Sequence, residues 1–300
     1  MPKAISKNMA VELLSRRVSA GTPLNGWPTQ APHASASTIE LAAELHGELM
    51  REGAVTFSLP DVLSDSDLTV ATWNLVTLLA YPVPQYETGE LLYPVEVRAD
   101  GGGASHYSAT AASGGLHTDG SLLPAAPDLA LLMCLSAAES GGETVLVDAA
   151  AVHEHLTRSF PELLDVLFAE HPFLAPGRPG GSPRWKPIFS HGPDGNFKIC
   201  YLRRYLETGW SASGSPIPQR LKAAMDAIDE FTLDGNNQRP YLLHRSEALI
   251  WRNDAFIHGR RAFDQKGSAR RLIRIYADTD KGRPVHVSRR GPTRFGADAS

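Results

Sequence analysis

Only two cysteines, Cys134 and Cys200, occur in the 300 residues, far apart and each within an apolar stretch. Two such residues cannot build a disulfide framework or a cysteine-based metal cluster, and they read as buried thiols of a reducing cytoplasm. No apolar run approaches the ~18 residues of a membrane span. The polar opening from Met1 to Arg17 carries no secretory core. An excess of one charge sign is also lacking: the net charge is −4, and Lys and Arg are scattered beyond short clusters such as Arg203-Arg204 and Arg260-Arg261. That argues against nucleic acid as a partner and leaves a small-molecule substrate, with a homo-oligomer compatible. Internal repeats are absent.

What is present is globular material, 42% hydrophobic, enough for one large core. Residues 1–38 are rich in Pro, Ser and Gly and read as an extended N-terminal arm, with residues 39–300 as a single domain. The spacing of Ile39, Ala42, Leu45 and Leu49 predicts a helix over 38–51, followed by a strand at 53–57. Ser64 to Asp67 supply an N-cap for a helix through Leu79. Beyond that, short apolar runs at 130–135, 144–147, 198–202, 248–251 and 271–277 alternate with Gly, Pro and Asp turns. Helices are expected at 149–170, after the N-cap Asp148, and at 218–231. This pattern is mainly β with flanking helices, and it predicts a sandwich or jelly-roll core, the double-stranded β-helix. Two segments, near 100–115 and 173–196, are rich in Gly, with Ala and Ser in one and Pro in the other; they read as structureless lid loops.

The chemistry concentrates in two places. In Gly114-Gly115-Leu116-His117-Thr118-Asp119-Gly120, His117 and Asp119 sit two apart, so a strand would aim both to one face and Thr118 away. An imidazole and a carboxylate make two-thirds of a two-histidine, one-carboxylate iron site, although such a pair also arises on ordinary surfaces. Downstream, Trp251 to Arg260 place His258 after a strand and a turn, where a core histidine bound to backbone is the plainer alternative. Arg270 and Arg274 then share one face of an otherwise apolar strand, and guanidinium on such a face needs an anionic partner, either a bound dicarboxylate or a core carboxylate. Arg271 competes with Arg270, because a one-residue slip flips the face. His153 and His155 face apart on a predicted helix, His191 lies in a turn and His244 at a polar strand edge, so none joins the set. His106 and Tyr107, in the first lid loop, and Ser113, just before the metal motif, are candidate substrate contacts.

The order His117-x-Asp119, His258, Arg270 resembles the taurine dioxygenase and clavaminate synthase superfamily over residues 40–285. Gly141-Gly142-Glu143-Thr144 and His258-Gly259-Arg260 strengthen the likeness. The resemblance implies a mononuclear non-haem Fe(II) held by His117, Asp119 and His258. It implies 2-oxoglutarate as co-substrate, with its distal carboxylate on Thr144 and Arg270, O2 as oxidant, and Arg274 facing the substrate. Relatives that halogenate have Gly or Ala where Asp119 stands, so hydroxylation is the implied outcome, with desaturation or ring closure open. A small amino-acid-like metabolite is the expected substrate and a sulfonate the alternative. A jelly-roll binding protein without turnover, and a zinc hydrolase on the same three ligands, are the competing classes.

Overall fold

The computed structural model describes residues 1–14, 34–85, 89–97, 114–177, 181–192, 195–264 and 270–279. Its centre is the strand Arg271–Asp278, whose side chains turn alternately to two faces of the sheet. Leu272 and Tyr276 turn toward one apolar cluster, and Ile275 and Ala277 toward another. This strand lies within a seven-stranded sheet. Its order is Lys3–Ala4, Ala54–Ser58, Glu247–Arg252, Leu129–Ser136, Arg271–Asp278, Tyr81–Val83, with Leu92–Glu96 also paired to Arg271–Asp278. All pairings are antiparallel except that of Lys3–Ala4 with Ala54–Ser58. A second sheet has four antiparallel strands in the order Arg239–Tyr241, Thr144–Asp148, Phe256–Arg260, Gly114–His117.

Three apolar layers follow from that alternation. Helices Ala36–Glu52 and Asp65–Leu79 cover the larger sheet through Leu45, Leu49, Leu68 and Trp73, with Phe57 and Ile275 from the sheet. Helices Ala149–Ser159 and Gln219–Leu233 cover the smaller sheet through Val152, Leu156, Met225 and Ile228. A third cluster unites both sheets: Leu132, Leu249, Trp251 and Leu272 from the larger, Leu146 and Phe256 from the smaller. Inward residues of the two sheets therefore share one interior, where the site is built. The start of the first long helix is set by Ser35, whose hydroxyl accepts from Thr38 N. Its end is set by Gly53, at φ 76°, where a Cβ would stand 2.4 Å from the Phe256 ring.

Three expectations are corrected. The arm is not extended throughout: Lys7–Leu13 is a helix whose Ala10 and Leu13 are buried, and its Glu12 carboxylate accepts from the hydroxyls of Ser35 and Thr38, both at 2.7 Å. Residues 15–33 lie outside the described residues. The helix expected over 149–170 breaks after Ser159, because Pro161 brings no N–H and opens a separate 3₁₀ turn. The segment 173–196 is not structureless. Arg184–Pro187 pairs with Glu170–Phe173, and Phe189–His191 with Phe197–Ile199, since Trp185, Ile188 and Phe189 favour strand while Gly and Pro fall at the turns. Among the described residues no helix is long and apolar enough to cross a membrane.

Candidate metal and anion site

His117 ends the strand Gly114–His117 and lies directly across from His258 on Phe256–Arg260. Leu116 packs among the helix-side residues, so His117 turns inward, as period-two alternation requires. The chain is then pinned on both sides. Thr118 N donates to the Tyr201 carbonyl at 2.7 Å, and Tyr201 N donates to the Thr118 hydroxyl at 2.9 Å. Asp119 N donates to Asn253 Oδ1 at 2.8 Å, while Asn253 Nδ2 donates to the carbonyls of Asp119 at 3.1 Å and Pro127 at 3.0 Å. One fully buried amide thus fixes the backbone of the carboxylate residue.

The three side chains converge, with one ligand atom from each lying within 4.8 Å of the others. His117 Nε2 is 3.8 Å from Asp119 Oδ1, and His258 Nε2 is 3.5 Å from Asp119 Oδ2. His117 Nδ1 lies 2.7 Å from the Gly115 carbonyl, which places its proton on Nδ1 and leaves the Nε2 lone pair toward Asp119. Among the described residues, Asp119 Oδ2 and His258 Nδ1 are buried and meet no hydrogen-bond partner. A buried carboxylate in that condition, with an imidazole nitrogen beside each of its oxygens, fits a divalent cation.

Charge states agree with this fit. Burial works to raise the Asp119 carboxyl, but Arg274, His258, His117 and a hydrogen bond from Tyr276 hold it at about 2. Burial first, then the neighbouring His117 ring, pushes His258 down to about 3. Near neutrality the site therefore holds an anionic carboxylate and a neutral His258 imidazole, the protonation states that metal ligation needs. Two nitrogens and one carboxylate leave coordination positions open, the arrangement that suits Fe(II). The same numbers give a pH dependence. The unfolded chain takes up a proton at His258 near 6.5, the folded chain only near 3, so the unfolded state binds more protons in between. Metal-free protein is expected to lose stability as pH falls through that window, seen as a lower urea midpoint at about pH 5 than at about pH 7. The drop should shrink in His258→Asn; an undiminished drop contradicts the assignment.

Two arginines, Arg260 and Arg270, gather at the Phe263 ring beside the strand that carries His258. Arg270 is buried, donates to the Gly142 carbonyl at 3.1 Å, and lies 5.3 Å over the Phe263 ring. Arg260, two residues after His258, lies 4.9 Å over the same ring and is the cross-strand neighbour of Thr144. Burial first, then the charge on Arg260, lowers Arg270 to about 10. Among the described residues no ion pair reaches Arg270, and a buried guanidinium calls for an anionic partner. Arg271 points the other way and pairs with Asp65 at 2.6 Å on the surface. The register is thereby decided: Arg270 and Arg274 face inward.

Arg274 is held by Gln85 and meets Asp119 Oδ1 at 3.2 Å, with its guanidinium against the rings of Tyr93 and Tyr276. Thr144 is buried on the inward face of its strand, two residues beyond Gly142. His106, Tyr107 and Ser113 lie outside the described residues. Sequence reasoning missed Asn253, Gln85 and Tyr276. Asn253 alone left a signal, a turn-forming Asn-Asp between the strand of Trp251 and that of His258.

Comparison with known proteins agrees with this geometry. The sequence profile described as "Taurine catabolism dioxygenase TauD, TfdA family" matches residues 21–276. FR-33289 synthase of Streptomyces rubellomurinus (strain ATCC 31215) is 27% identical over 171 residues, 54% of this chain and 50% of that protein. A uridine-5'-phosphate dioxygenase of a Streptomyces species is 30% identical over 176 residues, 57% of this chain and 64% of that protein. The chain thus spans about half to two-thirds of these curated relatives. In fold, it is similar to an asparagine oxygenase solved with Fe(II), a hydroxyasparagine and succinate, at TM-score 0.69 and 16% identity over 93% of this chain and 94% of that one. It is also similar to the non-heme iron oxygenase OrfP solved with Fe and alpha-ketoglutaric acid, at TM-score 0.65 and 17% identity over 93% and 95%.

Proposed function

The chain belongs to the taurine catabolism dioxygenase TauD, TfdA family, and on that footing we propose that it is a cytoplasmic Fe(II)- and 2-oxoglutarate-dependent dioxygenase with a jelly-roll core. The observation that carries the reading is the convergence of His117, Asp119 and His258 around a buried carboxylate whose Oδ2 meets no hydrogen bond among the described residues. These three residues hold the iron. Arg270 and Thr144 take the distal carboxylate of 2-oxoglutarate, one as a buried cation and the other as a hydroxyl donor. Iron and 2-oxoglutarate bound there supply oxidation of a C–H bond by O2, releasing succinate and CO2. The protein contributes position: Asn253 fixes the Asp119 backbone, and the Gly115 carbonyl fixes the His117 tautomer.

The ordered turn Gly141-Gly142 makes room for the co-substrate arm. At Gly142, φ is 79° and a Cβ would come within 3.1 Å of Arg270 Nε. Gly142→Ala is expected to cost about 1–2 kcal/mol for the left-handed backbone alone. It should also raise the KM for 2-oxoglutarate more than it lowers kcat, as steady-state kinetics with varied 2-oxoglutarate would show.

A small amino-acid-like metabolite is the proposed substrate, supported by the likeness to an asparagine oxygenase. A phosphate-bearing nucleotide is the second reading, favoured by the relative named for uridine-5'-phosphate. Taurine or another sulfonate is the remaining alternative, for which Arg274 is the basic group beside the metal residues. Screening amino acids, nucleotides and sulfonates for stimulated succinate formation tests the choice. Stimulation by amino acids is the expected result, and stimulation by nucleotides or sulfonates alone overturns it.

A further inference from the structure

Gln85 has no role in the reading above, yet its side chain is spent entirely on one residue of the site and its surroundings. It is 2% exposed. Its Nε2 donates to the carbonyls of Leu91 at 3.1 Å and Arg274 at 2.7 Å, and its Oε1 accepts from Arg274 Nε at 2.8 Å. A single amide therefore grips both the backbone and the head of Arg274. The guanidinium is planar and rotates about the bond to Nε, so fixing Nε fixes where its outer nitrogens point. Here the Tyr93 and Tyr276 rings, 5.2 and 4.6 Å away, flank that plane, and Nη1 reaches Asp119 Oδ1 at 3.2 Å. The other oxygen, Oδ2, is the one left facing His258 Nε2.

We propose that Gln85 is a positioning residue for the metal centre. By setting the rotation of Arg274, it commits one oxygen of Asp119 to Arg274 and reserves the other for the cation. Without Gln85 the guanidinium can turn off Asp119, and the carboxylate loses the contact that orients it. The inference rests on the metal reading of His117, Asp119 and His258.

Co(II) titration of the purified protein tests it, read by affinity and by the visible absorption of the bound ion. Gln85→Leu removes every hydrogen bond of the amide; Gln85→Glu keeps an acceptor for Arg274 Nε but loses the donors to both carbonyls. Outer residues that orient a ligand typically change metal affinity about 10- to 100-fold. Gln85→Leu is expected to weaken Co(II) binding about 10-fold and shift the spectrum, while Gln85→Glu stays near the parent in both. Equal, parent-like binding by the two variants overturns the proposal, and so does equal weakening, which would make Gln85 a staple of the backbone alone. Absence of Co(II) binding by the parent protein would instead overturn the metal reading itself.

Discussion

Replacing His258 by alanine is expected to abolish tight iron binding and all 2-oxoglutarate turnover while the protein stays folded. The geometry makes the effect large. His258 faces Asp119 Oδ2 at 3.5 Å, and among the described residues that oxygen meets no hydrogen bond, so a cation bound there would lose a ligand that water cannot replace in the same position. His117→Ala and Asp119→Ala should behave alike. Asp119→Gly removes the charge but leaves both imidazoles, so weak iron binding can survive while hydroxylation is lost. Metal content after gel filtration, with circular dichroism as the fold control, checks the series. A His258→Ala protein with parent-like iron content and activity removes the site assignment.

Arg270→Ala is expected to raise the KM for 2-oxoglutarate by the second-largest margin. Removing one partner of a buried charge pair costs about 2–5 kcal/mol, which is roughly 30-fold to several thousandfold in affinity. Arg271→Ala should leave that KM unchanged, because Arg271 pairs with the surface residue Asp65, and exposed pairs are worth about 0–1 kcal/mol. Thr144→Val should act in the direction of Arg270→Ala but by only about 1 kcal/mol, the worth of a neutral hydroxyl donor. Steady-state kinetics with varied 2-oxoglutarate separates the three. A large effect in Arg271→Ala with none in Arg270→Ala would reverse the strand assignment.

How much of this was legible in the sequence follows the range of the forces involved. Period two turned His117 inward and put Arg270 with Arg274 on one face, because alternation is a local property of strand backbone, whereas Asp119 lies in the turn after its strand and is aimed by Asn253 instead. The caps at Ser64 and Asp148 were equally local. The break at Pro161 was also local, and was overlooked because the apolar residues around it kept a helical spacing. Gln85 and Asn253 left little or no trace: each acts on a residue more than a hundred positions away, and only the folded sheets bring those partners together. The hairpins within 173–196 were hidden by Gly and Pro, whose abundance marks turns as readily as open loops.

Succinate formation from 2-oxoglutarate tests the central claim most directly, because it needs no knowledge of the substrate. Slow turnover is expected when Fe(II), 2-oxoglutarate and O2 are all supplied, and none when any one is left out or when His258 is alanine. Iron-loaded protein that neither consumes O2 nor produces succinate, with or without the screened compounds, would contradict the account.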